Sequence, residues 1–170
     1  MLAADDSGVV RHLLREAAER TAVPVEIIEA TDGRECVDCL ADSEIDLAFV
    51  DVYMPHISGL EALWRARSQG IRTFVTLMSS PGNKRFIELA RKLSAYEFLF
   101  KPFNHKEVSD IIKSYARLSL PRRALVVDDS AAVRKLVHNV LAGSLFRLAV
   151  TEAADGQAAL ACCQTCKFPL

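Results

Sequence analysis

The chain has 170 residues, of which 51% are hydrophobic and 25% charged, and its net charge is −1. That length holds one well-cored domain plus a fragment, or two very small domains, and the charge balance offers no basic excess to attract nucleic acid. No apolar run approaches the roughly 18 to 20 residues of a membrane span, and Met1 leads into acidic residues, not a cationic signal sequence, so the chain reads as cytoplasmic with no membrane partner.

In chain order, "MLAA" is an apolar strand, after which Val10, Leu13, Leu14, Ala17 and Thr21 recur at helical spacing. "VEIIEA" is a second strand and "GRECVDCLA" a second helix. "DLAFV" is a buried third strand, and "GLEALWRARSQ" is a third helix opened by Ser58 and Gly59. "RTFVTLM" makes a fourth strand, Phe86, Leu89, Ala90 and Leu93 mark a fourth helix, "AYEFLF" is a fifth strand, and Val108, Ile111, Ile112 and Tyr115 mark a fifth helix. Five strands alternating with five helices predict an α/β fold: a doubly wound parallel sheet with helices on both faces. "SLPRR", residues 119–123, is a short linker.

Beyond the linker the sequence repeats itself. An offset of 123 residues aligns "LAADDS" (2–7) with "LVVDDS" (125–130) and, without a gap, "EATDG" (29–33) with "EAADG" (152–156). It also pairs Val10 with Val133, Arg11 with Arg134, Leu13 with Leu136 and Cys39 with Cys162. Such a long period indicates duplication of a whole unit, not a solenoid. The second copy supplies strand, helix, strand, helix, and Leu170 aligns with Leu47 at the start of the third strand. Asp128 and Asp129 are therefore a partial acidic site, and the counterparts of Asp51, Ser79 and Lys101 have no place in it. An open strand edge beside so small a core predicts association through residues 121–170.

Cys36 and Cys39 form a CxxC, and Cys162, Cys163 and Cys166 cluster near the end, but neither set has the partner pair of a zinc ribbon. They read as reduced thiols that pack as small hydrophobes. His12, His56, His105 and His138 read as surface residues.

Open parallel sheets place their functional crevice at the carboxyl ends of the strands. There the first strand delivers Asp5 and Asp6, the third Asp51, the fourth Ser79 and Ser80, and the fifth Lys101. Three carboxylates at one edge repel one another unless a cation sits among them, and all-oxygen donors favour a hard ion such as Mg2+.

These motifs resemble the response-regulator receiver domain of two-component signalling: "ADDS" at the first strand, "FVDVYMPHISGLEAL" around Asp51, "LMSSP" after the fourth strand and "FLFKPF" around Lys101. Ser79 and Lys101 follow Asp51 by 28 and 50 residues, intervals familiar from that family. The resemblance implies a flavodoxin-like sheet of strand order 2-1-3-4-5, a receiver over residues 1–118, and the N-terminal half of a second over 124–170. It implies that Asp51 accepts a phosphoryl group from a histidine kinase or phosphotransfer protein. Asp6, Asp51 and the Tyr53 carbonyl would bind Mg2+, and Asp5 would hold a coordinated water. Lys101 and Ser79 would contact phosphoryl oxygens. A switch would couple Ser79 to an inward turn of Phe98, which lacks a tyrosine hydroxyl. Lys101–Pro102 is a peptide such domains tend to hold cis.

Tyr53 and Pro81 occupy variable positions from which neither positions an attacking water, so a long-lived aspartyl phosphate is expected, with slow self-catalysed hydrolysis and no stand-alone enzyme activity. The resemblance allows self-association through 121–170 or through the face formed by the fourth helix, fifth strand and fifth helix. Three other readings remain open at this level. One is a pseudo-receiver scaffold that acts by contacts alone. A flavin carrier is disfavoured by the acidic pair where phosphate would sit. A Mg2+-dependent hydrolase lacks the usual DxD, because Val52 and Tyr53 follow Asp51.

Overall fold

The structure, a computed structural model, describes residues 1–42, 44–81, 84–144 and 146–165, the side chains of Asp42, Lys84, Arg85, Phe86 and Thr165 excepted. Cys166 and the Phe86 side chain thus lie outside the described residues. The chain divides into two compact units, Met1–Tyr115 and Ala116–Leu170.

The first unit contains β1 (Leu2–Ala4), α1 (Gly8–Glu19), β2 (Ile28–Ala30), α2 (Gly33–Asp42) and β3 (Leu47–Asp51). It continues with α3 (Gly59–Ser68), β4 (Phe74–Ser79), α4 (Lys84–Lys92), β5 (Glu97–Phe100) and α5, which runs from His105 to Leu118. All strand pairs are parallel and the order is β2-β1-β3-β4-β5, the expected flavodoxin-like topology.

Each residue of β3 and β4 is buried, as strands covered on both faces must be. On one face Leu2, Ala4, Ala48, Val50, Val75 and Leu77 form a cluster with Cys36 and Leu40 of α2 and Leu60 and Leu63 of α3. The alternate residues Ala3, Phe49 and Met78 turn to the opposite face, to which α1 contributes buried Leu14 and Ala17 and α5 contributes Val108 and Ile112. Ser109 of α5 donates to the Ala17 carbonyl at 2.9 Å, tying the two helices on that face together.

Strand β2 is shorter than "VEIIEA" suggests. It is an edge strand, and β1 offers a partner only from Leu2 to Ala4, so the ladder closes at Ile28–Ala30. Beside the central strand, the Ser58 hydroxyl caps α3 by accepting from the Glu61 amide at 3.2 Å. Gly59 lets that helix start directly against β3, since a Cβ there would lie 2.1 Å from the Asp51 carbonyl oxygen.

The second unit holds β6 (Arg122–Val127), α6 (Ala131–Ala142), β7 (Leu148–Ala153) and α7 (Gly156–Thr165), with β6 and β7 paired in parallel. The strand begins at Arg122, so Arg122 and Arg123 of the expected linker lie in the ladder. Its elements follow the strand-helix-strand-helix order expected, and the 123-residue offset extends to individual hydrogen bonds. The Asp5 amide donates to the Ala30 carbonyl at 3.1 Å, and the Asp128 amide to that of Ala153 at 3.2 Å. The Ser7 amide reaches the Asp5 carboxylate at 2.9 Å, and the Ser130 amide that of Asp128 at 2.8 Å. Arg11 donates to the Asp5 carbonyl at 2.7 Å, and Arg134 to the Asp128 carbonyl at 2.8 Å.

Candidate functional site

Because the five strands run the same way, the segments that leave their carboxyl ends gather at one edge. Asp5 and Asp6 follow β1, Asp51 ends β3, Ser79 ends β4, and Lys101 follows β5. Asp5, Asp6 and Asp51 each bring a carboxylate oxygen within 4.8 Å of the others, the group of three possible metal ligands among the described residues. Asp5 is fully buried and Asp51 nearly so, whereas Asp6 is exposed.

Lys101 joins this cluster from the far strand. Its Nζ lies 2.7 Å from Asp5 Oδ2 and 3.1 Å from Asp51 Oδ2. Burial raises the Asp51 pKa above its ordinary value, with the neighbouring Asp5 charge acting in the same direction, and the Lys101 hydrogen bond offsets only part of that rise. For Lys101, burial works against the ammonium, yet the hydrogen bonds it donates to Asp5 and Asp51 outweigh that and raise the pKa. The site thus favours the charged form of its lysine and disfavours that of Asp51. The Lys101–Pro102 peptide is cis.

Of the remaining predicted residues, Ser79, Tyr53 and Phe98 lie in the first unit. The Ser79 hydroxyl donates to the Ser80 carbonyl at 3.3 Å. The Tyr53 amide donates to the Asp51 carboxylate, and its side chain is 56% exposed. Phe98 is half-buried against the core and stacks on Phe100 with centroids 6.0 Å apart. Asp128 and Asp129 lie in the second unit, the first half-buried and the second exposed.

Two residues to which the sequence reading gave no role brace the site. Arg11 donates to the carbonyls of Asp5 and Asp6 and pairs with Glu29 at 3.0 Å, fixing the loop that aims both carboxylates. The signal was in the repeat, which carries Arg134 and Glu152 at the same offset, paired at 3.3 Å. The four histidines instead pair with carboxylates: His12 and His105 with Glu16, His56 with Asp32, and His138 with Glu152. Cys36 is buried, and burial pushes its thiol up to about 12, which removes it from nucleophilic or ligand chemistry at neutral pH.

The donor set fits a hard divalent cation. Its ligands are all oxygens, one carboxylate faces solvent where a hydrated ion could exchange, and Lys101 leaves a net negative charge on the cluster.

A five-stranded parallel sheet of this order with an acidic cluster and a lysine at its carboxyl edge defines a receiver-type signalling domain. The family model for the response regulator receiver domain matches residues 1–113, and the chain belongs to that family. It is 35% identical over 119 residues to the transcriptional regulatory protein CpxR of Escherichia coli (strain K12), covering 70% of this chain and 50% of CpxR. The chain therefore spans about half the length of that relative. It is 27% identical over 118 residues to sporulation initiation phosphotransferase F of Bacillus subtilis (strain 168), covering 69% of this chain and 94% of that protein. The solved receiver domain of Francisella response regulator 1452 matches at a TM-score of 0.62 and 25% identity, covering 68% of this chain and 95% of that one.

Proposed function

We propose that Asp51 accepts a phosphoryl group from a phosphohistidine on a histidine kinase or phosphotransfer protein. The observation that carries this reading is the convergence of Asp5, Asp6, Asp51 and Lys101 from three strands onto one partly buried point. Phosphoryl transfer needs positioning and charge neutralisation more than covalent machinery, and this cluster supplies both. An Asp51 oxygen attacks phosphorus, the phosphorus–nitrogen bond breaks, and its electron pair stays on the imidazole. Lys101, already between two carboxylates, exchanges one of them for a phosphoryl oxygen, and the Ser79 hydroxyl turns from the Ser80 carbonyl to another. Asp6, Asp51 and the Tyr53 carbonyl would hold Mg2+, with Asp5 reaching it through a water. Bound there, Mg2+ would neutralise charge developing on the phosphoryl oxygens.

The output follows from Ser79 and Phe98. As Ser79 moves, Phe98 turns inward from its stack on Phe100, which alters the surface of α4, β5 and α5. That face, or residues 121–170, would carry the changed protein contacts, self-association included. The reading assigns a complete receiver to 1–118, a linker to 119–123 and the first half of a second receiver to 124–170, in a cytoplasmic protein.

Incubation with acetyl phosphate and Mg2+ tests it: the intact mass gains one phosphoryl group, and the gain is lost in Asp51→Asn and on chelation of the metal. An unchanged mass under these conditions would sink the reading in favour of a scaffold that acts without phosphorylation. With Tyr53 and Pro81 unable to position a water, the modified protein should persist well beyond a few seconds; a lifetime of seconds contradicts that part.

A further inference from the structure

We propose that Arg11, held by Glu29, is a positioning residue for a divalent cation at Asp5, Asp6 and Asp51: it fixes the turn after β1 and thereby sets how tightly the ion binds. This rests on the reading that the three carboxylates take such an ion, and extends it to a residue whose bonds go to their backbone.

The turn from Asp5 to Ser7 leaves β1 for α1 and carries two of the three carboxylates. The Asp5 amide ties its start to the sheet by donating to the Ala30 carbonyl at 3.1 Å. The ladders of β1 end at Ala4, and beyond them Arg11 takes two successive carbonyls. Its Nη1 lies 2.7 Å from the Asp5 carbonyl oxygen and 3.3 Å from that of Asp6. Ser7, the N-cap of α1, makes no side-chain cap bond, so the side chain that joins this helix to the turn comes from Arg11, one turn further on. Glu29 of β2 accepts from Arg11 Nε at 3.0 Å and pairs with Arg15 as well, which leaves the Arg11 side chain 16% exposed.

The brace matters differently to the two carboxylates. Asp5 is gripped directly, by the Ser7 amide at 2.9 Å and by Lys101 Nζ at 2.7 Å. Asp6 is exposed, so the direction of its carboxylate follows from the torsions of the turn, which the bond to its carbonyl restrains. The second unit repeats the arrangement around its own acidic pair. Arg134 donates to the carbonyls of Asp128 and Asp129 at 2.8 and 3.4 Å and pairs with Glu152 at 3.3 Å. The brace therefore goes with the acidic turn itself.

The sign of the effect separates positioning from charge. A guanidinium near a cation site repels the cation, so removal of that charge alone would tighten binding. Loss of the brace loosens it, because the carboxylates must then be ordered as the ion arrives.

The test uses Mn2+ in place of Mg2+, since binding removes the electron paramagnetic resonance signal of the free ion. It is titrated into the full chain, with Asp51→Asn as the background. Arg11→Met should weaken the Asp51-dependent binding by about tenfold, as removal of a group that orients metal ligands does. Arg11→Lys keeps the charge without the planar fork and should weaken it too. Arg15→Met removes the other partner of Glu29 and no bond to the turn, so the affinity should stay within about twofold. In metal-free Arg11→Met, amide exchange should speed up at residues 6–8 and stay unchanged in β3 and β4. If Arg11→Met unfolds the first unit, Arg11→Lys decides alone. The inference is overturned by Arg11 variants that bind as tightly as the parent or more tightly, or by an equal loss in Arg15→Met. A parent that binds no ion in an Asp51-dependent way overturns the metal reading as well, which equal binding by parent and variants leaves standing.

Discussion

Gly33 and Gly156 occupy the same place in the repeat and should answer the same substitution differently. At Gly33 the obstacle is a backbone carbonyl that cannot rotate away, so Gly33→Ala should destabilise the first unit by about 1–3 kcal/mol. At Gly156 nothing is in the way, and Ala at a helical position reduces the freedom of the unfolded chain, so Gly156→Ala should be neutral or stabilising by up to about 1 kcal/mol. Urea melts of each variant, followed by a probe in its own unit, check both. Asp51 makes a second prediction. Its raised pKa means the folded state holds that proton more tightly than the unfolded chain, so stability falls as pH climbs through the interval above the ordinary value of 3.8. In metal-free buffer Asp51→Asn should therefore melt higher than the parent at pH 7, and the difference should shrink towards pH 4. Added Mg2+ should raise the parent and leave the variant unmoved.

At the scale of elements, Arg67 holds the far end of the sheet together. Its guanidinium donates to the carbonyls of Ile71 and Thr73 at 2.7 and 2.8 Å and to those of Leu93 and Ser94 at 3.1 and 3.3 Å. It thereby joins the end of α3, the approach to β4 and the turn after α4, where Ser94 has φ 54. Arg67→Met keeps the stem but strands four acceptors, and should cost about 2–3 kcal/mol in a urea melt, with faster amide exchange at the end of α4. Nothing in the sequence announced this clamp, because its partners are backbone carbonyls that any residue could supply. The order of elements was legible because β3 and β4 are apolar throughout and the helices repeat every three or four residues. Strand lengths were not, since pairing partners set them, as β1 limits β2 to three residues. At the site, carboxylate, hydroxyl and lysine could be placed by strand ends alone. The closer approach of Lys101 to Asp5 than to Asp51 could not, because it depends on side-chain conformers.

For the whole molecule, the two units should differ sharply in stability. The first buries two layers of side chains against five strands, with Phe49, Leu14, Leu63, Leu77 and Ile112 nearly inaccessible. In the second, α6 buries no side chain, and the buried apolar residues among those described are Val126 and Ala153. Leu136, Val140 and Leu160 are each more than 60% exposed. Burial of apolar area is the main favourable term in folding, and roughly 50 residues with so little of it fall below what usually folds unaided. Amide exchange on the full chain should accordingly show β1, β3 and β4 protected long after residues 122–165 have exchanged, and a protease should cut within 122–165 first and leave a fragment ending near Tyr115. The same exposed side chains should make the second unit sensitive to concentration: self-association would slow its exchange as the protein is concentrated, and Leu136→Lys with Val140→Lys should abolish that dependence. Equal protection of both units in dilute solution, where the chain sediments as a monomer, would show that the second unit is stable without any partner.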